Sequence, residues 1–351
     1  MPILKSEALI LSANTEENLL NVCMEKRISE NDRYYQTVIL TLGLKDFLNQ
    51  NKTNCRFVSA EPRFYSSTNN QEVKPDIVLQ YGSNNGVLCE VKTSFPYNET
   101  YLFRALKQIE KYSQDVVGWD SIDRKVENHD ILLLCPMMDY DRIILKLNEW
   151  METGKINITK NLCICEWGMI LYPKWGKDFI LIRKRSGETN CEELNKFLES
   201  NITFEVQKLH LNYEQCKFTR KEPPTEYTMR QLWLDIFPAL NKKTEDFTTS
   251  IEVVLEIAHK YYIPWSNLGG EFSQVRKKWI KKAMVSFCEI GLAESSPKIE
   301  GNYKILRGKR VSNIEEFIVK RLCKSAIKEK IKGILLENNE EEKDQKTLDL
   351  F

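Results

Sequence analysis

The order of apolar and polar positions over residues 1–185 predicts a mixed sheet with flanking helices. A helix is predicted over residues 30–49, with Ser29 as its N-cap, because apolar residues recur there at helical spacing. The predicted strands, which are short runs rich in apolar residues, are 55–60, 75–81, 87–93, 130–135, 162–172 and 178–183. Further helices are predicted at 14–24, 101–116 and 139–151.

The pattern changes in the C-terminal half. Residues 186–226 contain many charges and Pro223-Pro224, and this segment is predicted to be a linker. The predicted elements of the next region, which are mostly helical, are helices at 228–240, 249–262 and 273–290 and a β-hairpin at 292–306. Three helices followed by a hairpin suggest a winged helix-turn-helix over residues 227–337. Residues 338–351 begin with an acidic run and are predicted to be a disordered tail.

Composition excludes several classes of protein. The 351 residues, 42% of them hydrophobic, allow one large domain or two ordinary ones with a real core. No run approaches the ~18 apolar residues that cross a bilayer, and the start of the chain lacks a signal-peptide pattern. We therefore expect a cytoplasmic protein with no membrane partner. The ten cysteines include no C-x-x-C pair, so we expect reduced core thiols rather than a zinc site.

Two acids and a lysine are predicted to meet at one end of a hairpin. Asp76 begins the strand 75–81, while Glu90 and Lys92 end its partner and share one face because side chains alternate along a strand. Strands made otherwise of aliphatic residues have no structural use for this cluster. Two carboxylates a few ångströms apart repel each other unless a hard divalent cation lies between them.

These residues resemble the PD-(D/E)xK nuclease superfamily, with Pro75, Asp76, Glu90 and Lys92 at the matching positions. The resemblance covers roughly residues 30–135, where helix, three strands, helix and strand follow in the order of the family. It implies an α/β (α+β) restriction-endonuclease-like core with a central mixed sheet, here assigned to residues 1–185, that hydrolyses phosphodiester bonds.

The resemblance also implies a metal site. Mg²⁺, with Mn²⁺ as a substitute, would be held by Asp76, Glu90 and the carbonyl of Val91, and Lys92 would position or activate a water molecule. The family often adds an acid from the first helix. Glu30 is the candidate in this chain, and Glu61 is the alternative.

A second pattern lies on the following helix. Gln108 and Tyr112 form a Q-x-x-x-Y pair on one helix face, and Arg104 is one turn earlier, where it could touch a phosphate. The pair is similar to the motif of the RecB-type branch, in which these residues support the site. The histidine that this branch often carries near its first helix is absent. By contrast, Tyr101 is expected in the helix core.

The last predicted helix before the hairpin is basic on one side. Residues 271–310 hold ten Lys and Arg against four Glu, although the whole chain has 51 basic and 50 acidic residues. The candidate DNA-binding side chains on this helix are Arg276, Lys277, Lys278, Lys281 and Lys282. Trp279, Ala283 and Phe287 are expected on its buried side. The alternative interpretation is a solvated lysine face, but a basic helix tethered to a nuclease core favours phosphate contact.

The tail ends in an apolar peptide. Gln345, Leu348, Leu350 and Phe351 resemble the peptides that bind replication sliding clamps, apart from the glutamine spacing of the bacterial motif and the second aromatic of the PCNA-interacting box. The alternative is a tail that folds back on its own domain. A sliding clamp is therefore the partner expected besides DNA.

The interpretation of the whole sequence is a metal-dependent DNA endonuclease. A role at replication or repair sites and a restriction or anti-phage role fit the same parts. Duplex cleavage by such cores often needs two active sites, which implies a homodimer. Two alternatives stay open, a non-catalytic DNA-binding protein on a nuclease-like scaffold and a ribonuclease. Each residue alone also has a plainer explanation, since Asp76 can simply begin a strand, and Glu90 with Lys92 can form a surface ion pair.

Overall fold

The chain has mixed α/β content in the computed structural model, which describes residues 2–122, 125–172, 177–206, 222–259, 270–297, 299–308 and 313–329. It divides into two compact units. The larger contains the described residues from Arg33 to Glu222, and the other contains Pro2–Asp32 and the described residues from Pro223 onward. Among the described helices, none has the length and apolar character needed to cross a membrane.

The larger unit is built on strands with helices on both faces. The helices are α1 (Pro2–Gln50), which begins in the other unit, α2 (Glu99–Tyr112), α3 (Tyr140–Glu152), α4 (Glu192–Glu199) and a 3₁₀ helix (Trp119–Ile122). The strands are β1 (Cys55–Ala60), β2 (Phe64–Ser66), β3 (Glu72–Val73), β4 (Ile77–Tyr81), β5 (Asn85–Val91), β6 (Val116–Val117), β7 (Asn128–Pro136), β8 (Leu162–Tyr172), β9 (Lys177–Ser186) and β10 (Ile202–Glu205).

The main sheet has seven strands in the order β1-β4-β5-β7-β8-β9-β10. Strands β5, β7 and β8 are parallel, and the other pairs are antiparallel, so the sheet is mixed as predicted. Val87 and Cys89 of β5 join an apolar cluster with α1 and α4, whereas Leu88 joins a second cluster with α2 and α3. Burial on both faces explains why the apolar run 130–135 does not alternate.

Two sequence-based assignments are wrong. The helices predicted at 14–24 and 30–49 are one continuous helix, α1, so Ser29 is not an N-cap. The intervening residues contain neither glycine nor proline, and nothing in them ends a helix. The predicted linker begins with α4 and with β10, which pairs with β9 through Ile202 and Ile182. Apolar side chains of this segment are buried in the core, including Leu194.

The second unit has helices followed by a hairpin. Its elements are α5 (Thr225–Gln231), a π-helical turn (Leu232–Ile236), α6 (Phe237–Leu240), β11 (Phe247–Ser250), α7 (Ile251–His259), α8 (Gly270–Glu289), β12 (Ala293–Ser295), β13 (Asn302–Ile305) and a helical stretch at 314–329. Strands β12 and β13 form the predicted hairpin, and β11, which the sequence did not predict, adds a third antiparallel strand.

Candidate active site

The hairpin of β4 and β5 brings the two predicted acids together. Ile77 pairs with Cys89 across the hairpin, which sets Asp76 opposite Glu90. The carboxylate of Asp76 accepts a 2.7 Å hydrogen bond from the backbone N–H of Val91. This bond fixes one acid against the strand that carries the other, so the spacing read from the sequence corresponds to real proximity.

Glu90 and Lys92 form a nearly buried ion pair. The side chain of Glu90 is 5% exposed, that of Lys92 is 17% exposed, and Lys92 Nζ lies 2.6 Å from Glu90 Oε1. The backbone of Lys92 is also held on both sides. Its N–H donates to the carbonyl of Leu134 (2.8 Å), and its carbonyl accepts from Nε1 of Trp167 (2.9 Å). The backbone that carries the Lys92 side chain is therefore fixed in position.

The Q-x-x-x-Y pair of α2 completes the cluster. Gln108 Oε1 accepts a 2.9 Å bond from Lys92 Nζ, and its Nε2 donates to the hydroxyl of Tyr112 at 3.2 Å. That hydroxyl contacts both the Glu90 carboxylate and the carbonyl of Lys74 (2.9 Å), to one of which it donates its single proton. Helix α2 thus touches each member of the ion pair.

Negative charge is concentrated at this point. Burial and then the charge of Glu90 raise the pKa of Asp76 well above its usual range, against the opposing effects of the Val91 N–H and of Lys92. Burial, followed by the charges of Glu90 and Asp76, likewise raises the pKa of Tyr112. Ionising both carboxylates is therefore costly until another positive charge arrives.

Glu61 is an additional acid beside Asp76. The backbone N–H of Glu61 donates to the carbonyl of Asp76 (2.9 Å), and its charge contributes to the raised pKa of Asp76. Glu61 has a left-handed backbone, with φ of 49°. By contrast, Glu30 is an exposed residue in the middle of α1 and belongs to the other unit. The preference for Glu30 rested on a helix start that does not exist.

The chemistry of the donors fits a small hard cation. In the part of the chain that the structure describes, no group of three or more His, Cys, Asp or Glu side chains is arranged to hold a metal ion. Mg²⁺ needs only one or two carboxylates, because water and substrate phosphates fill the rest of its shell. Asp76 and Glu90 supply two carboxylates whose mutual repulsion such an ion would relieve.

Two supporting residues were not identified from the sequence. Trp167 lies 75 residues from Lys92 along the chain and meets it only because β5, β7 and β8 are neighbours. His129 is buried, and its Nε2 donates to the carbonyl of Tyr112 at 2.7 Å. No local motif marks either residue, since both contacts depend on the order of the strands.

The predicted DNA-contacting residues lie on two helices. Arg104 is exposed on α2, one turn before Gln108. On α8, Lys278, Lys281 and Lys282 are exposed, while the buried residues are Trp279, Ala283 and Phe287, as predicted. Lys277 is ion-paired with Glu252 at 2.9 Å. The side chain of Arg276 and the tail residues, which are Gln345, Leu348, Leu350 and Phe351, lie outside what the structure describes.

Comparison of the chain with protein-family models, with curated proteins and with solved structures finds no match. The functional argument therefore depends on the geometry of the cluster around Lys92.

Proposed function

We propose that this chain is a metal-dependent deoxyribonuclease that hydrolyses phosphodiester bonds at Asp76, Glu90 and Lys92. The observation that carries the proposal is the position of the Lys92 ammonium group, 2.6 Å from Glu90 and 2.9 Å from Gln108, beside a second carboxylate. Apolar residues of similar volume could replace the buried ion pair without lowering the stability of the fold. Such a cluster is better explained by chemistry than by stability.

Among the residues that the structure describes, the Lys92 ammonium group uses two of its three N–H donors. Glu90 and Gln108 are the acceptors. Because the side chain is 17% exposed, the third can reach a water molecule or a phosphate oxygen. Its positive charge would stabilise the extra negative charge on phosphorus in the transition state.

The two carboxylates would hold the metal. When bound, Mg²⁺ would lower the pKa of a coordinated water and neutralise charge on the phosphate. Asp76 is oriented for this role by the Val91 N–H, and Glu90 by Lys92 and Tyr112. Gln108 would keep Lys92 in place rather than react itself, since its partners among the described residues, Lys92 and Tyr112, both belong to the cluster.

The proposal also assigns a specific fold to each of the two units. The mixed sheet, with the cluster at the end of hairpin β4–β5, supports a restriction-endonuclease-like core. In the other unit, the helices, the hairpin and the exposed lysines of α8 support a winged-helix domain that contacts phosphates. The proposed macromolecular partners are DNA and, through Gln345–Phe351, a sliding clamp, with a homodimer for duplex cleavage.

A cleavage assay with matched lysine variants tests the proposal. Wild type, Lys92→Ala and Lys74→Ala are incubated with single-stranded, duplex and branched DNA and with RNA, each in Mg²⁺ and in EDTA. Lys74 is a suitable control because it is an exposed lysine paired with Glu72 beside the same site. We expect Mg²⁺-dependent DNA cleavage that Lys92→Ala lowers by about 100-fold or more, whereas Lys74→Ala does not.

Three results would contradict the proposal. Cleavage at the wild-type rate by a folded Lys92→Ala protein would refute the site. DNA binding without cleavage under any metal would favour the non-catalytic alternative. Hydrolysis of RNA alone would favour a ribonuclease.

A further inference from the structure

Two tyrosines at the margin of the candidate active site expose their rings. Tyr97 is 91% exposed and Tyr101 is 58% exposed. Tyr97 lies in the segment that leaves Lys92 for α2, and Tyr101 lies in the first turn of α2, which also carries Gln108. The expectation that Tyr101 belongs to the helix core is therefore wrong. Large aromatic rings contribute little to stability when they remain in water.

Each exposed ring lies against an arginine. The guanidinium carbon of Arg142 is 5.0 Å from the centroid of Tyr97, and that of Arg104 is 5.6 Å from the centroid of Tyr101. Arg142 also donates to the carbonyls of Pro96 (2.7 Å) and Phe95 (3.3 Å). The segment that presents Tyr97 is thereby tied to α3, so this ring is held in place rather than free to collapse.

Arg104 differs from Arg142 in its charge balance. Arg142 is paired with Asp139 at 2.8 Å, whereas Arg104 has no carboxylate within ion-pair distance among the described residues. An exposed guanidinium without a carboxylate keeps its full attraction for a phosphate. The tyrosine beneath it restricts its motion, which lowers the entropy lost when an anion binds.

The side chains on α2 lie in a row that begins at the candidate active site. Tyr101, Arg104 and Gln108 lie on one face of α2, at successive turns. The rise of an α-helix puts Arg104 about 6 Å and Tyr101 about 10 Å beyond Gln108 along the axis. A strand whose phosphate lies at Lys92 can therefore extend along this face, with its next groups beside the arginine and the two rings.

We propose that this surface, formed by Tyr97, Tyr101 and Arg104, binds a single DNA strand and delivers it to Lys92. The inference rests on the proposed function and names the substrate class of that site. The bases stack on the tyrosines and a backbone phosphate contacts the arginine, as single strands require. In a duplex, each base face is already covered by its neighbours, so the exposed rings favour unpaired ends or flaps.

Binding measured in EDTA tests the surface without any cleavage. The full chain is titrated against a fluorescein-labelled oligothymidylate and a labelled duplex of equal length, followed by fluorescence anisotropy. We expect tighter binding of the single strand, weakened about 5- to 100-fold by Tyr97→Ala or Tyr101→Ala and little changed for the duplex. Tyr101→Trp, which keeps a stacking ring, should retain the affinity. Tyr65→Ala is the matched control, because Tyr65 is an exposed tyrosine beside β6, which follows the far end of α2.

The outcomes separate this inference from the proposed function. Unchanged single-strand affinity in both folded alanine variants would overturn the inference, even if Mg²⁺-dependent cleavage is found. Tighter binding of an oligouridylate than of the oligothymidylate would overturn the assignment to DNA. Selective loss of single-strand binding without any cleavage activity in the wild type would support the surface and refute the nuclease.

Discussion

The carboxamide oxygen of Gln108 accepts a 2.9 Å hydrogen bond from the ammonium group of Lys92, which joins α2 to the end of β5. The amide nitrogen of the same side chain donates to Tyr112, so the glutamine has a fixed orientation. Lysine has a long stem with several freely rotating bonds, and a single ion pair with Glu90 does not define its position. Gln108 therefore limits where the charge of Lys92 can act.

Gln108→Ala is expected to reduce kcat for DNA cleavage by about 10- to 100-fold, with little change in KM, because a misplaced lysine affects the transition state more than binding. Steady-state kinetics on a labelled strand would measure both constants. Gln114→Ala is the matched control, since Gln114 accepts from Ser66 just beyond the other end of α2. A fall in kcat of the same size in both variants would indicate a general loss of structure instead.

Asp76→Asn is expected to stabilise the protein in EDTA above neutral pH while removing any stabilisation by Mg²⁺. Burial and Glu90 raise the folded pKa of Asp76 above its unfolded value. The contribution of Asp76 to the free energy of unfolding is fully present below its unfolded pKa of about 4, and it is lost as pH rises through the folded pKa. Asparagine keeps an oxygen for the Val91 N–H and carries no charge at any pH.

The measurement is thermal unfolding with EDTA or Mg²⁺, at acid and at alkaline pH. Wild type should melt at a higher temperature with Mg²⁺, because a ligand that binds only the folded state stabilises it. The variant should not respond. An equal Mg²⁺ shift in both proteins would show that the ion binds elsewhere, and an unchanged difference between the proteins at all pH values would contradict the charge argument.

His129 is expected to make the stability of the fold depend on pH in the direction opposite to that of Asp76. Burial lowers the pKa of His129 from its usual 6.5, while its Nε2 holds the carbonyl of Tyr112. A lowered folded pKa means that stability is present above the unfolded value and is lost as pH falls through the folded one. His129→Gln keeps a donor but cannot titrate. Urea unfolding between about pH 7.5 and about pH 5.5 should show a steeper loss in wild type than in the variant. Parallel curves would refute this assignment.

The local part of the site was predictable from the sequence and the distant part was not. The relation of Asp76 to Glu90, and of Glu90 to Lys92, follows from a hairpin register and from the two-residue period of a strand, both of which short sequences encode. Gln108 and Tyr112 follow from helical spacing in the same way. The contact of Trp167 with Lys92 depends on the order of three strands, which no local pattern determines.

The errors have physical causes as well. Ser29 has an N-cap side chain, but no glycine or proline lies between Pro2 and Gly43, and the helix continues through the serine. Tyr101 has the size of a core residue, yet it lies exposed in the first turn of α2. Its hydroxyl makes this exposure less costly than that of a purely apolar side chain. The segment assigned as a linker contains β10, which lies at the edge of the sheet and buries only Ile202 of its four residues, so its sequence has no long apolar run.

The lysines of α8 allow a test of duplex binding that is independent of the strand surface on α2. Lys277 and Lys278 are neighbours, but Lys277 is paired with Glu252 at 2.9 Å, whereas Lys278 is exposed with no carboxylate within ion-pair distance among the described residues. Lys277 must break its ion pair with Glu252 to contact a phosphate, so Lys278 should contribute more to DNA binding.

Lys278→Gln is therefore expected to reduce the slope of log affinity against log salt for duplex DNA by about 0.9, the value of one phosphate contact, and Lys277→Gln by less. Both variants remove one positive charge, so an effect of net charge alone would lower the two slopes equally. A slope identical to wild type in Lys278→Gln would mean that this face of α8 is only a solvated surface, and the proposal that it contacts phosphates would be refuted.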